Sequence, residues 1–173
     1  MLVPVDPPIV GVDPGETIGV AVLSGPPLAW ELHQLKWMDD LDMLKAVLDG
    51  AHTVVYETFV KFPKANLTGS RFIPVEVIGF LRSWTADQAM KVVGQPASIK
   101  QVLPNTEMTR LLGYKLVGGR HAVDAARHVL YYLVTEALRD PTSVPSSRCT
   151  FSIDPSGSPL VRRGRARQDS PSS

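Results

Sequence analysis

The order of apolar runs in this 173-residue chain predicts an α/β protein: one domain on a five-stranded mixed sheet flanked by helices. Three stretches carry the prediction. Residues 9–23, IVGVDPGETIGVAVL, read as two β-branched runs joined by a Pro-Gly turn, a hairpin whose first strand ends on Asp13. Residues 51–57, AHTVVYE, repeat the opening pattern, a short apolar run closed by a carboxylate, Glu57. Residues 121–138 place Val123, Ala126, Val129 or Leu130, and Leu133 or Val134 at helical spacing, a stripe suited to packing on a sheet.

The remaining elements follow in order. Residues 27–35 alternate as a third strand, antiparallel to the second across Gly25-Pro26. Residues 38–48 have helical spacing, with Asp39 and Asp40 in the first turn, where the helix dipole favours acid, and Gly50 beyond the end. Residues 58–70 read as a loop broken by proline, asparagine and glycine, with Lys61, Lys64 and Arg71 supplying positive charge beside Glu57. Residues 72–84 suit a packed helix with Pro74 in its first turn, and residues 90–93 a fifth strand. Residues 96–103 and 105–112 read as two short helical pieces, and Gly118-Gly119 as a hinge before the last helix.

Residues 1–140 form the expected domain and residues 141–173, rich in proline, serine and arginine, a largely disordered tail. Five arginines against two aspartates give the tail a net +3, whereas the body carries 13 basic and 15 acidic residues. Nucleic-acid binding would therefore need a local patch, and VRRGRARQ offers either affinity for phosphates or a solubilising segment. Apolar content of 44% and the lack of an apolar run long enough for a bilayer exclude a membrane protein, and the first residues lack the pattern of a signal peptide, so a cytoplasmic location is expected. Cys149 is the only cysteine, which excludes an intrachain disulfide and a cysteine-based metal cluster.

Each polar residue at these strand and helix ends has a plain reading. Asp13 caps the turn amides of Gly15 and Glu16, Asp124 is a favourable first-turn charge, and His121 is a solvated histidine at a helix start. Together they read differently. If the first and fourth strands are parallel neighbours, Asp13 and Glu57 stand side by side, and a helix start with His121 and Asp124 three apart covers them. Carboxylates so crowded are expected to need divalent cations, and oxygen ligands favour Mg²⁺ or Mn²⁺ over zinc. Two such ions are the usual clamp for hydrolysing a phosphodiester, so the pattern points to a metal-dependent nuclease.

VGVDPGETIGVAVL, VVYETFV and HAVDAARHVLYYL together resemble the RuvC family of Holliday junction resolvases, and the element order resembles the ribonuclease H-like fold. The resemblance spans about residues 9–138. It implies a crossover junction endodeoxyribonuclease with two Mg²⁺ ions per site, Mn²⁺ substituting, and no organic cofactor. Asp13, Glu57, His121 and Asp124 would be the catalytic and metal-binding residues. It further implies four-way or other branched DNA as partner, action as a homodimer, and 5′-phosphate and 3′-hydroxyl products. Asn66, Ser70 and Gly79 fall near the family's asparagine-serine-glycine pattern, and QPASIK is similar to its proline-to-lysine segment, which takes Lys100 to the DNA backbone. Phe59 or Phe62 would stack on bases, and Lys61, Lys64, Asn66, Ser70 and Arg71 complete the expected DNA surface. The compact form with an arginine-bearing tail resembles phage-encoded members, which would act in the host cytoplasm. The alternatives are a sugar-kinase-like ATPase module, for which the chain lacks a duplicated domain; a relative acting on flaps or RNA, or a YqgF-like one; and a non-catalytic DNA-binding scaffold.

Overall fold

The computed structural model describes residues 8–25, 29–58, 72–139, 151–153 and 159–161. Its centre is a five-stranded sheet of β1 (Ile9–Asp13), β2 (Thr17–Ser24), β3 (Ala29–Lys36), β4 (Thr53–Thr58) and β5 (Lys91–Pro96), in the order β3-β2-β1-β4-β5. β1, β2 and β3 pair antiparallel, as short turns permit, while β4 and β5 add in parallel after helical crossovers. The first and fourth strands are thus parallel neighbours at the centre, as the acidic strand ends require.

Residue alternation divides the sheet into two faces. Val10, Val12, Ile18, Val20, Val54 and Tyr56 point to one side and are buried beneath α1 (Leu41–Leu48) and α2 (Ile73–Asp87) through Leu44, Leu48, Val77, Ile78 and Leu81. Ile9, Leu23 and Val55 point to the other side, where α5 (Arg120–Arg139) lies against the sheet through Ala125, Val129 and Tyr132. Asp13 and Glu57 share the parity of Ile9 and Val55, so both carboxylates emerge on the α5 side.

Helix α5 approaches closely because the residues beneath it are small. A Cβ on Gly11 would stand 2.4 Å from the Ala125 carbonyl oxygen, and one on Gly19 only 2.0 Å from that of His121. Ala21 on the strand and Ala122, Ala125 and Ala126 on the helix complete a fully buried small-residue seam.

Element ends differ from expectation most at α1, at α2 and between β5 and α3. Helix α1 begins at Leu41 rather than residue 38, because residues 37–40 form a turn with Met38 at φ 70° and Asp40 accepting a hydrogen bond from the Lys36 amide. Helix α2 continues to Asp87, held by buried Thr85, whose hydroxyl donates to the Leu81 carbonyl. Pro96 closes edge strand β5 instead of opening a helix, and α3 is the single turn Ile99–Val102, followed by α4 (Asn105–Leu112). In the segment expected to be largely disordered, β6 (Phe151–Ile153) and β7 (Pro159–Val161) pair antiparallel as a separate two-stranded sheet.

Candidate active site

The polar cluster forms where the carboxy ends of β1 and β4 meet the first two turns of α5. Val12 pairs with Tyr56, so the next residues along, Asp13 and Glu57, lie beside one another. Across β4, Glu57 pairs in register with Gln95 of β5, which brings an amide to the same face. On α5, His121, Asp124 and His128 are spaced three and four apart and form one stripe over these strand ends. At the start of α5, Gly119 packs against the end of the Gln34 side chain, and the His121 amide donates to Gln34 Oε1 at 3.3 Å.

Each carboxylate has its own partners. Asp13 Oδ2 lies 2.8 Å from His121 Nδ1. Asp13 is 6% exposed, and burial holds its carboxyl above the usual aspartate range, assisted by the Glu57 and Asp124 charges and opposed by His121 and Lys100. Glu57 Oε2 takes the ring Nε2 of His128 at 3.3 Å and the Lys100 ammonium at 3.1 Å. The His128 hydrogen bond first, and Lys100 second, outweigh burial and hold Glu57 below the usual glutamate range. His128 is completely buried, and its other ring nitrogen meets the Gln95 amide oxygen at 2.9 Å, so Gln95 and His128 together fix the glutamate.

Asp124 is engaged by two cations, one on each oxygen. Arg127, 5% exposed, bonds Oδ1, and the Lys100 ammonium stands 3.2 Å from Oδ2. The same guanidinium donates to the Leu103 carbonyl at 2.8 Å and to the Asn105 side chain, tying α5 to the α3–α4 segment. Burial pulls the Lys100 ammonium toward deprotonation, but the Glu57 hydrogen bond and the charges of Asp13, Glu57 and Asp124 prevail and raise its pKa. A cavity of about 310 Å³ opens beside Asp124, with Met108, Leu116 and Val123 among its apolar lining and Lys115 and Arg120 its cations.

Of the residues singled out in the sequence, Asp13, Glu57, His121, Asp124 and Lys100 come together. Phe59, Lys61, Phe62, Lys64, Asn66, Ser70 and Arg71 lie outside the described residues. Gly79 sits on the exposed side of α2. The expectation that only divalent cations could offset the crowded carboxylates needs correction, because the chain supplies Lys100 and Arg127 for that purpose. Arg127, Gln95 and Asn105 escaped the sequence reading. A charged residue three after Asp124 on the buried side of α5 was the available signal for Arg127; Gln95 needs the β4–β5 register and Asn105 the fold of the α3–α4 segment.

The donor chemistry, carboxylate oxygens with one imidazole, fits a hard divalent ion. The spacing is that of carboxylates holding an ammonium: among the described residues, no three His, Cys, Asp or Glu side chains gather closely enough to close around a metal. No described helix is long and apolar enough to cross a membrane.

No protein-family model matches the sequence, and neither does any curated protein. Two solved structures of Thermus thermophilus RuvC are similar in fold. One, RuvC in complex with a Holliday junction substrate, has a TM-score of 0.56 at 17% identity, covering 80% of this chain and 99% of that one. The other, a structure of RuvC, has a TM-score of 0.55 at 19% identity with the same coverage. The five-stranded mixed sheet with its flanking helices is therefore the RuvC-like form of the ribonuclease H-like fold.

Proposed function

We propose that this chain is a divalent-metal-dependent endonuclease that resolves four-way DNA junctions. The observation that carries the reading is the convergence of Asp13, Glu57, Asp124 and His121 at the carboxy edge of the central parallel strands, within a fold shared with RuvC. The similar structure that contains a Holliday junction supports branched DNA as the substrate class. Asp13, Glu57, Asp124 and His121 would hold Mg²⁺ or Mn²⁺, two ions per site, which would activate water and neutralise charge building on the phosphate oxygens.

The protein's own groups prepare that chemistry. His121 orients Asp13, Arg127 holds Asp124, and His128 with Gln95 holds Glu57, so each carboxylate is oriented by a partner of its own. Water attacks phosphorus in line, the bond to the 3′ oxygen breaks, and 5′-phosphate and 3′-hydroxyl ends result. Two such sites on a homodimer match the two-fold symmetry of a junction, and the exposed side of α2, with Val75 and Gly79, is our choice of interface.

The test is cleavage of a labelled immobile four-way junction beside matched linear duplex, flap and RNA–DNA hybrid, with Mg²⁺ or EDTA. Wild type is expected to make paired, metal-dependent nicks at the junction. Asp13→Asn, Glu57→Gln and Asp124→Asn are expected to bind the junction without cutting it. Preference for flaps or hybrids would move the function to another branch of ribonuclease H-like nucleases, and junction binding without cutting by wild type would leave a DNA-binding scaffold.

A further inference from the structure

Lys100 stands in an unusual place for a lysine expected to meet the DNA backbone. Its ammonium bridges Glu57 Oε2 at 3.1 Å and Asp124 Oδ2 at 3.2 Å, and the charge of Asp13 also acts on it. Its neighbour Ile99 is 2% exposed within the core against α5, so the single turn of α3 is anchored with the lysine stem leading into the cluster. Both oxygens of Asp124 are engaged by cations, Oδ1 by Arg127 and Oδ2 by Lys100.

We infer that Lys100 is the resident counter-cation of the metal-free centre, and that a divalent cation binds only by displacing it. This rests on the metal-dependent reading above and explains why the carboxylates do not themselves close around an ion. An ammonium and a metal ion cannot share Asp124 Oδ2 and Glu57 Oε2 at bonding distance, because the two cations repel across a partly buried space. The exchange favours the ion, whose double charge faces the same three carboxylates. The Lys100 side chain is 38% exposed and unbranched, so it can swing toward solvent without moving α3. Arg127 cannot leave in the same way, being buried with three acceptors. Among the described residues, the two cations of the centre therefore divide the work: one is permanent and one exchanges with metal. Lys100 thereby sets metal affinity, and its release frees an ammonium beside the site as the ions arrive.

The experiment is titration of the full chain with Mn²⁺, following free ion by electron paramagnetic resonance, for wild type, Lys100→Ala, Lys100→Met and Lys100→Arg. Hydrogen bonds to charged groups of ordinary strength imply that Lys100→Ala and Lys100→Met bind the first Mn²⁺ about tenfold more tightly than wild type. Lys100→Arg is expected to bind no more tightly than wild type. Thermal unfolding in EDTA gives a second readout: Ala and Met variants melt below wild type, and saturating Mn²⁺ removes the difference. The methionine variant keeps the apolar stem, so loss of packing at the alanine variant is recognised. Equal or weaker Mn²⁺ binding by both variants, with wild type binding the ion, overturns the inference alone. Absence of Mn²⁺ binding in every protein overturns the metal-dependent reading with it.

Discussion

Replacing Gly19 by alanine tests whether the close seat of α5 sets the geometry of the site. The added Cβ would lie 2.0 Å from the His121 carbonyl oxygen, 2.1 Å from its carbon and 2.7 Å from the Ala122 nitrogen, all backbone atoms. Restoring ordinary contact at 3.4 Å moves the start of α5 away from β2 by about 1.4 Å. That displacement carries His121 from Asp13 and shifts Asp124, whereas Glu57, on β4, stays. Overpacking of this kind costs about 1–3 kcal/mol, which for a chain of this size lowers Tm by about 2–12 °C. A misplacement near 1 Å at reacting groups costs about 100-fold in rate. The assay is single-turnover cleavage of the junction in Mg²⁺, alongside thermal unfolding and junction binding in EDTA. The expected variant is folded at the assay temperature, binds the junction within a few-fold of wild type and cuts about 100-fold more slowly. Wild-type cleavage with an unchanged Tm would refute the close seat of α5 on β2.

Other expectations concern stability and charge. Gly79→Ala places a methyl with nothing within 4 Å in the single chain, on the side of α2 proposed to meet a second copy, so Tm of the dimer is expected to fall; a higher Tm, from the ~0.5–1 kcal/mol that alanine gains over glycine in a helix interior, would remove this side of α2 from the interface. Arg127→Ala strips buried Asp124 of the cation on Oδ1, with Lys100 remaining on Oδ2, and leaves the Leu103 carbonyl without its donor, so denaturant unfolding is expected to show a loss of about 3 kcal/mol, the low end for breaking a buried pair; a loss under 1 kcal/mol would remove Arg127 from the framework of the site. Glu57 is held below its ordinary value of 4.5, so in EDTA it stabilises the fold above that pH and loses the contribution as pH falls through its lowered value. The stability gap between wild type and Glu57→Gln should accordingly narrow in acid, and a constant gap would sink that account. Asp13 has the opposite sign: its pKa is raised above 3.8, so the folded state favours its protonated form and ionisation weakens the fold as pH rises through the raised value. Asp13→Asn should raise Tm in EDTA near neutral pH while cleavage is lost, and a lowered Tm would show the carboxylate to be structural.

The balance of charge in this centre is closer to a self-neutralised framework than to a bare acidic hole. His128 and Gln95 serve Glu57, Arg127 serves Asp124, and His121 serves Asp13, so each carboxylate has a partner of its own before any ion is considered. Among the described residues, Lys100 is the group shared between two of them.

The sequence by itself determined the five strands of the central sheet and the ends on which Asp13 and Glu57 stand. Short β-branched runs bounded by proline and glycine bury their own side chains, and alternation then decides which face each carboxylate takes, so strand content and parity are local properties. The HxxD spacing was likewise local, since residues three apart on a helix share a face. What only the tertiary structure decided was the set of partners. The pairing of Glu57 with Gln95 comes from the β4–β5 register, which depends on where a separate crossover returns the chain. Lys100 meets Glu57 and Asp124 because α3 is pinned by Ile99 under α5, and Arg127 meets Asn105 because α4 folds back on the same helix. Gly11 and Gly19 gain their meaning only when α5 arrives, since glycine in a strand shows no purpose until another backbone passes above it. These contacts join residues far apart along the chain, and their geometry is set by the packing of whole elements rather than by any nearby pattern of residues.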